Sequence, residues 1–187
     1  MYAKRSVSTR IAKYLFVVII FMGIISSLSL LVMASNKSDA EAINISGSLR
    51  MQSYRLLTEM ERSPDTVEQN LVRYQDSLNA HVLLTVQNQL FAPSGIKASY
   101  QKILQRWMMM SDLASSHQIE KYHAELKSYV QDVDDFVLEL QRFAEKKWII
   151  AVSVLCISML LILAMVSYVI WYMKREVVKP LEQMTKA

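Results

Sequence analysis

Two long runs without a charged side chain constrain this chain more than anything else in it: residues 14–36, which are 23 positions, and residues 148–173, which are 26. At 1.5 Å per residue these would form helices about 35 and about 39 Å long, enough to cross the hydrocarbon core of a bilayer. Lys4, Arg5, Arg10 and Lys13 precede the first run and Val32-Met33-Ala34 puts small residues near its end, a layout shared with secretion signals. That run is longer than the roughly 7–15 apolar residues of a signal peptide, and no loop-forming sequence follows it, so an uncleaved anchor is expected. Residues 1–13 carry a charge of +4, residues 174–187 carry +2 and residues 37–147 carry −2. Basic flanks stay in the cytoplasm, which predicts a cytoplasmic N-terminus over 1–13, transmembrane helices over 14–36 and 148–173, an outward domain over 37–147 and a cytoplasmic exit over 174–187. Lys146 and Lys147, at the outer edge of the second run, depart mildly from that rule.

The net charge of +4 is therefore spent at the membrane edges, which makes lipid a partner and gives no reason to expect nucleic acid. The single cysteine, Cys156, lies inside the second run, so the outward domain is expected to have no disulfide and to be held by helix packing. With three glycines and three prolines, the chain suits an all-α fold. Breaks at Ser63-Pro64, at Ala92-Pro93-Ser94-Gly95 and at Ser115-Ser116-His117-Gln118 divide the outward part into four helices, about 35–62, 64–91, 95–115 and 119–147, with Ser63 as a candidate N-cap. The first and last, 28 and 29 residues, match in length, which suits an antiparallel up-down-up-down four-helix bundle.

Spacings of three and four place Tyr122, Leu126, Tyr129, Val133, Phe136, Leu140 and Phe143 on the inner face of the fourth helix, and Ile103, Leu104, Trp107, Met110 and Leu113 in the core from the third. The Met108-Met109-Met110 run reads as adaptable core filling, and Asp132, Asp134 and Asp135 as a solvated face. His81, His117 and His123 show no metal-ligand spacing and read as surface or capping residues. No nucleophile motif, phosphate loop or catalytic carboxylate pair is present, so neither catalytic nor metal-binding residues are assigned and these 187 residues are not expected to be an enzyme by themselves.

One stretch, residues 39–56, resists a bland reading. Ala42, Ile45, Leu49, Ser53, Leu56 and Met60 form an ordinary packing stripe. Beside it Ile43, Gly47, Arg50, Tyr54 and Leu57 recur at steps of four, three, four and three, the a/d rhythm of a helix that pairs with another helix. An arginine there has two readings: a solvated or salt-bridged side chain with its stem along apolar surface, or a charge set on a pairing seam for a ligand. Gly47, one turn before it, costs a helix interior about 0.5–1 kcal/mol relative to alanine and leaves room beside the guanidinium.

Met173-Lys174-Arg175-Glu176-Val177-Val178-Lys179-Pro180-Leu181-Glu182-Gln183-Met184 resembles the opening of a HAMP linker, the coiled-coil relay below many bacterial receptors. Ala42-Ile43-Asn44-Ile45-Ser46-Gly47-Ser48-Leu49-Arg50-Met51-Gln52-Ser53-Tyr54-Arg55-Leu56 is similar to the P-box of the NarQ/NarX family of nitrate/nitrite sensor histidine kinases. Phe136-Val137-Leu138-Glu139-Leu140-Gln141, followed by Phe143-Ala144-Glu145-Lys146-Lys147, resembles a second segment of that family.

The resemblance implies a periplasmic sensor domain in a parallel homodimer at the bacterial inner membrane. Its anion, nitrate or nitrite, would be bound by Arg50 and Gly47 with Ile43, Ser46 and Tyr54 lining, and shared with the same arginine of a second protomer. A planar, forked guanidinium suits a planar anion. Two such arginines about 7 Å apart would repel by roughly 2–2.5 kcal/mol at an effective dielectric near 20, and an anion between them reverses the sign. The resemblance further implies a histidine kinase beyond residue 187, using ATP and magnesium and passing phosphate to a response regulator; no cofactor is expected within these residues. A shift of the first helix against the fourth would carry the signal. A chemotaxis-type receptor with a small-anion ligand shares the same layout and is the alternative.

Overall fold

The computed structural model describes residues 7–89 and 92–175, and every regular element among them is helical. Helix α1 runs from Val7 to Arg62 and α5 from Ile119 to Met173, 56 and 55 residues without a proline. Between them lie a 3-10 turn over Pro64–Thr66, α2 over Val67–Leu78, α3 over His81–Val86 and α4 over Ser94–Ser115. The chain divides into two compact units, one over Ala34–Lys147 and one made of residues up to Met33 with those from Trp148 onward.

In the second of these units the apolar side chains face outward. Phe16, Ile19, Leu30, Ile150, Leu160 and Ile170 are all more than 60% exposed, which in water would be a large hydrophobic liability and in lipid is the expected surface. Among the described residues, α1 and α5 are the two helices long and apolar enough to cross a membrane. Tyr14 meets Tyr168 and Tyr172 edge-on at 5.9 and 6.0 Å, and Arg175 lies 5.5 Å over the Trp171 ring, an aromatic girdle of the kind found at headgroup level. The HAMP-like sequence from Glu176 onward lies outside the described residues.

Within Ala34–Lys147, contacts pair the helices in reversed order. Ser53 meets Tyr122 while Asp39 meets Lys147, and Tyr100 meets Phe136 while Arg106 meets Ser128. The seven residues expected to face inward on α5 are all buried, joined by Val130 and Val137. From α4 the core takes Ile96, Tyr100, Ile103, Trp107, Met110 and Ala114. Of the three consecutive methionines only Met110 is core; Met108 and Met109 are exposed, since neighbours on a helix point 100° apart. Tyr74 stacks on Trp107 at 3.7 Å and hydrogen-bonds Tyr129 at 2.8 Å, so the middle of the core is aromatic with its hydroxyls satisfied.

The expected helix over 64–91 is instead divided. The hydroxyl of Tyr100 donates to the Leu78 carbonyl at 2.7 Å, Ala80 turns extended at ψ 129°, and Leu83 N–H restarts a helix on the Ala80 carbonyl. A buried side chain thus takes the place of a helical N–H, which no local propensity announces. Ser63 makes no side-chain capping bond; its carbonyl accepts from Thr66 N–H. His117 takes the left-handed conformation at φ 52° and closes α4, with Gln118 N–H donating to the Leu113 carbonyl. Gly95, in the first turn of α4, faces the Glu139 carboxylate, whose oxygens would lie 3.0 and 3.1 Å from an added Cβ. Lacking one, it lets that carboxylate approach the positive end of the helix.

Candidate anion-binding site

The buried stripe of α1 between the spans is Asp39, Ala42, Ser46, Leu49, Ser53, Leu56 and Met60. Its neighbouring stripe is open: Ile43, Gly47 and Leu57 are half-buried, while Arg50 and Tyr54 are exposed. Ile45, expected in the core stripe, is half-buried, and Ser46 takes its place. This moves Ser46 away from the residues it was expected to join. Its hydroxyl donates to the Ala42 carbonyl at 2.6 Å within the core rather than standing beside the guanidinium.

Arg50 bends back along its own helix. Its Nε donates to the Gly47 carbonyl at 3.3 Å, and Nη1 pairs with Asp134 Oδ1 at 2.7 Å, with 46% and 38% of the two side chains exposed. A guanidinium has five N–H donors, so these two bonds orient it without exhausting its donors. A Cβ at position 47 would sit 3.6 Å from Nη2, an ordinary contact, so nothing among the described residues demands glycine there.

Asp134, expected on a solvated face, pairs with Arg50. Asp132 was assigned there too, yet it is buried between α4 and α5, paired with Lys102 at 2.7 Å and with Arg106 at 2.6 Å. Burial opposes its charge, and the hydrogen bonds and charges of Lys102 and Arg106 outweigh that, holding its carboxyl below the ordinary value. Arg106 also reaches Glu125 and Ser128. Asp135 keeps to solvent and accepts from Gln131 one turn back on its own helix. Lysine and arginine at positions 102 and 106, one turn apart on α4, were the available signal for Asp132.

Behind the stripe, Tyr122 donates its hydroxyl to the Ser53 carbonyl at 3.0 Å, and Ser53 Oγ lies 3.3 Å from the Tyr74 hydroxyl. Burial pushes the Tyr74 phenol up to about 12 despite these bonds, and raises Tyr122 and Tyr129 as well. Helix α1 is therefore held from behind by neutral hydroxyls, one turn beyond Arg50. No cluster able to hold a metal ion occurs among the described residues.

Residues 31–129, just over half of the chain, match the family described as "Type IV pili methyl-accepting chemotaxis transducer N-term", PilJ. The chain belongs to this family. Across all 187 residues it is 65% identical to the "Sensor protein NarQ homolog" of Haemophilus influenzae and 33% identical to the "Nitrate/nitrite sensor protein NarQ" of Escherichia coli K12. The resemblance first seen in residues 42–56 thus extends to NarQ over the whole chain. The chain spans about a third of the length of these relatives, 33% of each. It is homologous to the sensor-bearing, N-terminal part of NarQ proteins, with two helices that can serve as membrane spans around a helical domain.

Proposed function

We propose that these residues form the nitrate- and nitrite-responsive input of a membrane-bound two-component sensor, an antiparallel four-helix-bundle periplasmic domain that acts as a parallel homodimer in the bacterial inner membrane. The observation that carries this is the Arg50 guanidinium, oriented by two bonds on an otherwise open stripe of α1. Identity with the NarQ proteins supports the choice of anion.

A second copy laid along the Ile43, Gly47, Arg50, Tyr54 and Leu57 stripe brings two arginines to one axis, with room left by Gly47 that the single chain does not use. Asp134 changes the electrostatics of that meeting. Each arginine arrives with a carboxylate 2.7 Å away, so the repulsion between two bare guanidinium groups is largely neutralised in the absence of an anion. Nitrate then competes with Asp134 for the guanidinium, and the two occupancies differ in where α1 stands against α5. A few kcal/mol of differential binding is enough to shift such an equilibrium. The shift passes along α1 and α5 to the HAMP linker and to a histidine kinase using ATP and magnesium, which phosphorylates a response regulator.

Calorimetry with sodium nitrate on the full-length receptor in nanodiscs tests the site. Arg50→Lys keeps the charge and loses the fork, and is expected to weaken binding at least tenfold. Equal affinity in the two proteins removes Arg50 from the site.

The match to a chemotaxis transducer family supports a second reading, a chemoreceptor-like output. Phosphate transfer from ATP to a histidine of the full-length protein distinguishes the kinase from it.

A further inference from the structure

Lys147 closes the outward unit at the place where a basic residue contradicts the usual charge rule, and its surroundings give the reason. Its ammonium donates to Asp39 Oδ1 at 2.7 Å, to Ser35 Oγ at 3.0 Å and to Gln89 Oε1 at 2.7 Å, with Asp39 Oδ2 at 2.5 Å and the Phe143 ring centre at 4.6 Å. An ammonium has three N–H donors, and all three are used. The side chain of Asp39 is only 5% exposed and that of Lys147 23%, so the carboxylate has little access to water if the ammonium withdraws.

The partners come from three segments: Ser35 and Asp39 on α1, Gln89 after α3, and Lys147 with Phe143 on α5. Ser35 and Asp39 are one turn apart, so Lys147 bridges two successive rungs of α1. The next rungs in the same row, Leu31 and Ile43, carry no acceptor. A slide of α5 by one turn, about 5.4 Å, would therefore leave the ammonium facing an aliphatic side chain on one rung. Only one register satisfies the site.

We propose that Lys147 and Asp39 form a register latch between α1 and α5 at the outer membrane boundary, whose making and breaking biases transmembrane output. This part of the reading, that output depends on the latch, rests on the sensor function above; the existence of the latch does not.

Two measurements on the full-length receptor in nanodiscs or native membrane separate these. Hydrogen exchange without any ligand is expected to be at least tenfold faster over residues 35–43 and 140–147 in Lys147→Met and in Asp39→Asn, with residues 122–136 unchanged. The exchanged pair, Asp39→Lys with Lys147→Asp, is expected to return the slow rates. Unchanged rates in both single variants overturn the latch.

For output, kinase activity without nitrate is expected to shift at least fivefold, in the same direction in both single variants, and to return in the exchanged pair. The two substitutions change net charge in opposite senses, so a general charge effect would move output in opposite directions, and that result, or no change, overturns the assigned bias. A wild-type receptor that ignores sodium nitrate refutes the sensor reading, while the exchange rates still decide the latch.

Discussion

Two ion-paired regions flank one turn of α5 and follow opposite rules. Asp132 and Asp134 are two positions apart, so they point about 200° apart around the helix axis, one toward α4 and one toward α1. On the α4 side Asp132 is 7% exposed and grips Lys102 and Arg106; on the α1 side Asp134 is 38% exposed and meets only Arg50. A buried pair is costly to break because the surviving charge has no water, whereas an exposed pair is cheap to exchange for another counter-ion. The same residue type thus serves as a fixed strut on one side of α5 and as a replaceable partner on the other.

Breaking the strut is expected to have the largest effect. Asp132→Ala leaves the mostly exposed Lys102 to water and half-buried Arg106 with Glu125 as its remaining carboxylate, and should cost about 1.5–3 kcal/mol, read as a lowered unfolding midpoint of the full-length protein. A cost below about 1 kcal/mol would mean that the buried side of α5 is no more rigid than the exposed one. Acid should imitate the substitution. The Asp132 carboxyl is held below its ordinary value, so its contribution is present above the unfolded-state pKa and is lost as pH falls through the lower folded value. The loss therefore belongs below the usual carboxylate range, and Asp132→Asn should flatten stability against pH there.

Alkali sharpens the contrast from the core. Tyr74 is fully buried with its phenol raised to about 12 from 10.0, so its contribution is complete below pH 10 and is lost as pH rises from 10 to 12. About 2–3 kcal/mol should disappear over that window from this group, followed by helical signal and tyrosinate absorbance together. Tyrosinate absorbance belonging to Tyr74, taken as the difference from Tyr74→Phe, that forms well before loss of helix would show the hydroxyl cluster to be open to water. Ser53→Ala, which removes one bond to Tyr74, should cost about 1 kcal/mol.

Periodicity disclosed much of this fold because the helices are long and their inner faces strict: every position read as inward on α5 is buried. The second stripe, with Arg50, lies at or near the surface, where no contact within the described residues decides its role as a seam. Periodicity missed the break at Asn79-Ala80, because the cause is a hydroxyl on α4 reaching a carbonyl 22 residues away. It placed Asp132 and Asp134 together because their difference lies in what α4 and α1 present, and partners separated by 26 and 84 positions leave no local trace. Neither stripe included Ser46, which is buried because a small hydroxyl that bonds its own helix backbone fits a core without an outside partner.

The smallest structural effect is expected to carry the largest functional information. Asp134→Asn preserves shape and a hydrogen-bond acceptor for Arg50 but removes the charge that nitrate displaces in the proposed mechanism. Stability should change by no more than about 1 kcal/mol, because the pair is exposed. Nitrate affinity should rise roughly three- to tenfold, the screened value of a carboxylate about 6 Å from a bound anion. The gain should shrink at high ionic strength, and Asp135→Asn, one position along and away from Arg50, should leave affinity unchanged. Weaker nitrate binding in Asp134→Asn would show the opposite balance: the carboxylate would then matter more for aiming the guanidinium than for competing with the ligand, and both sides of α5 would be struts.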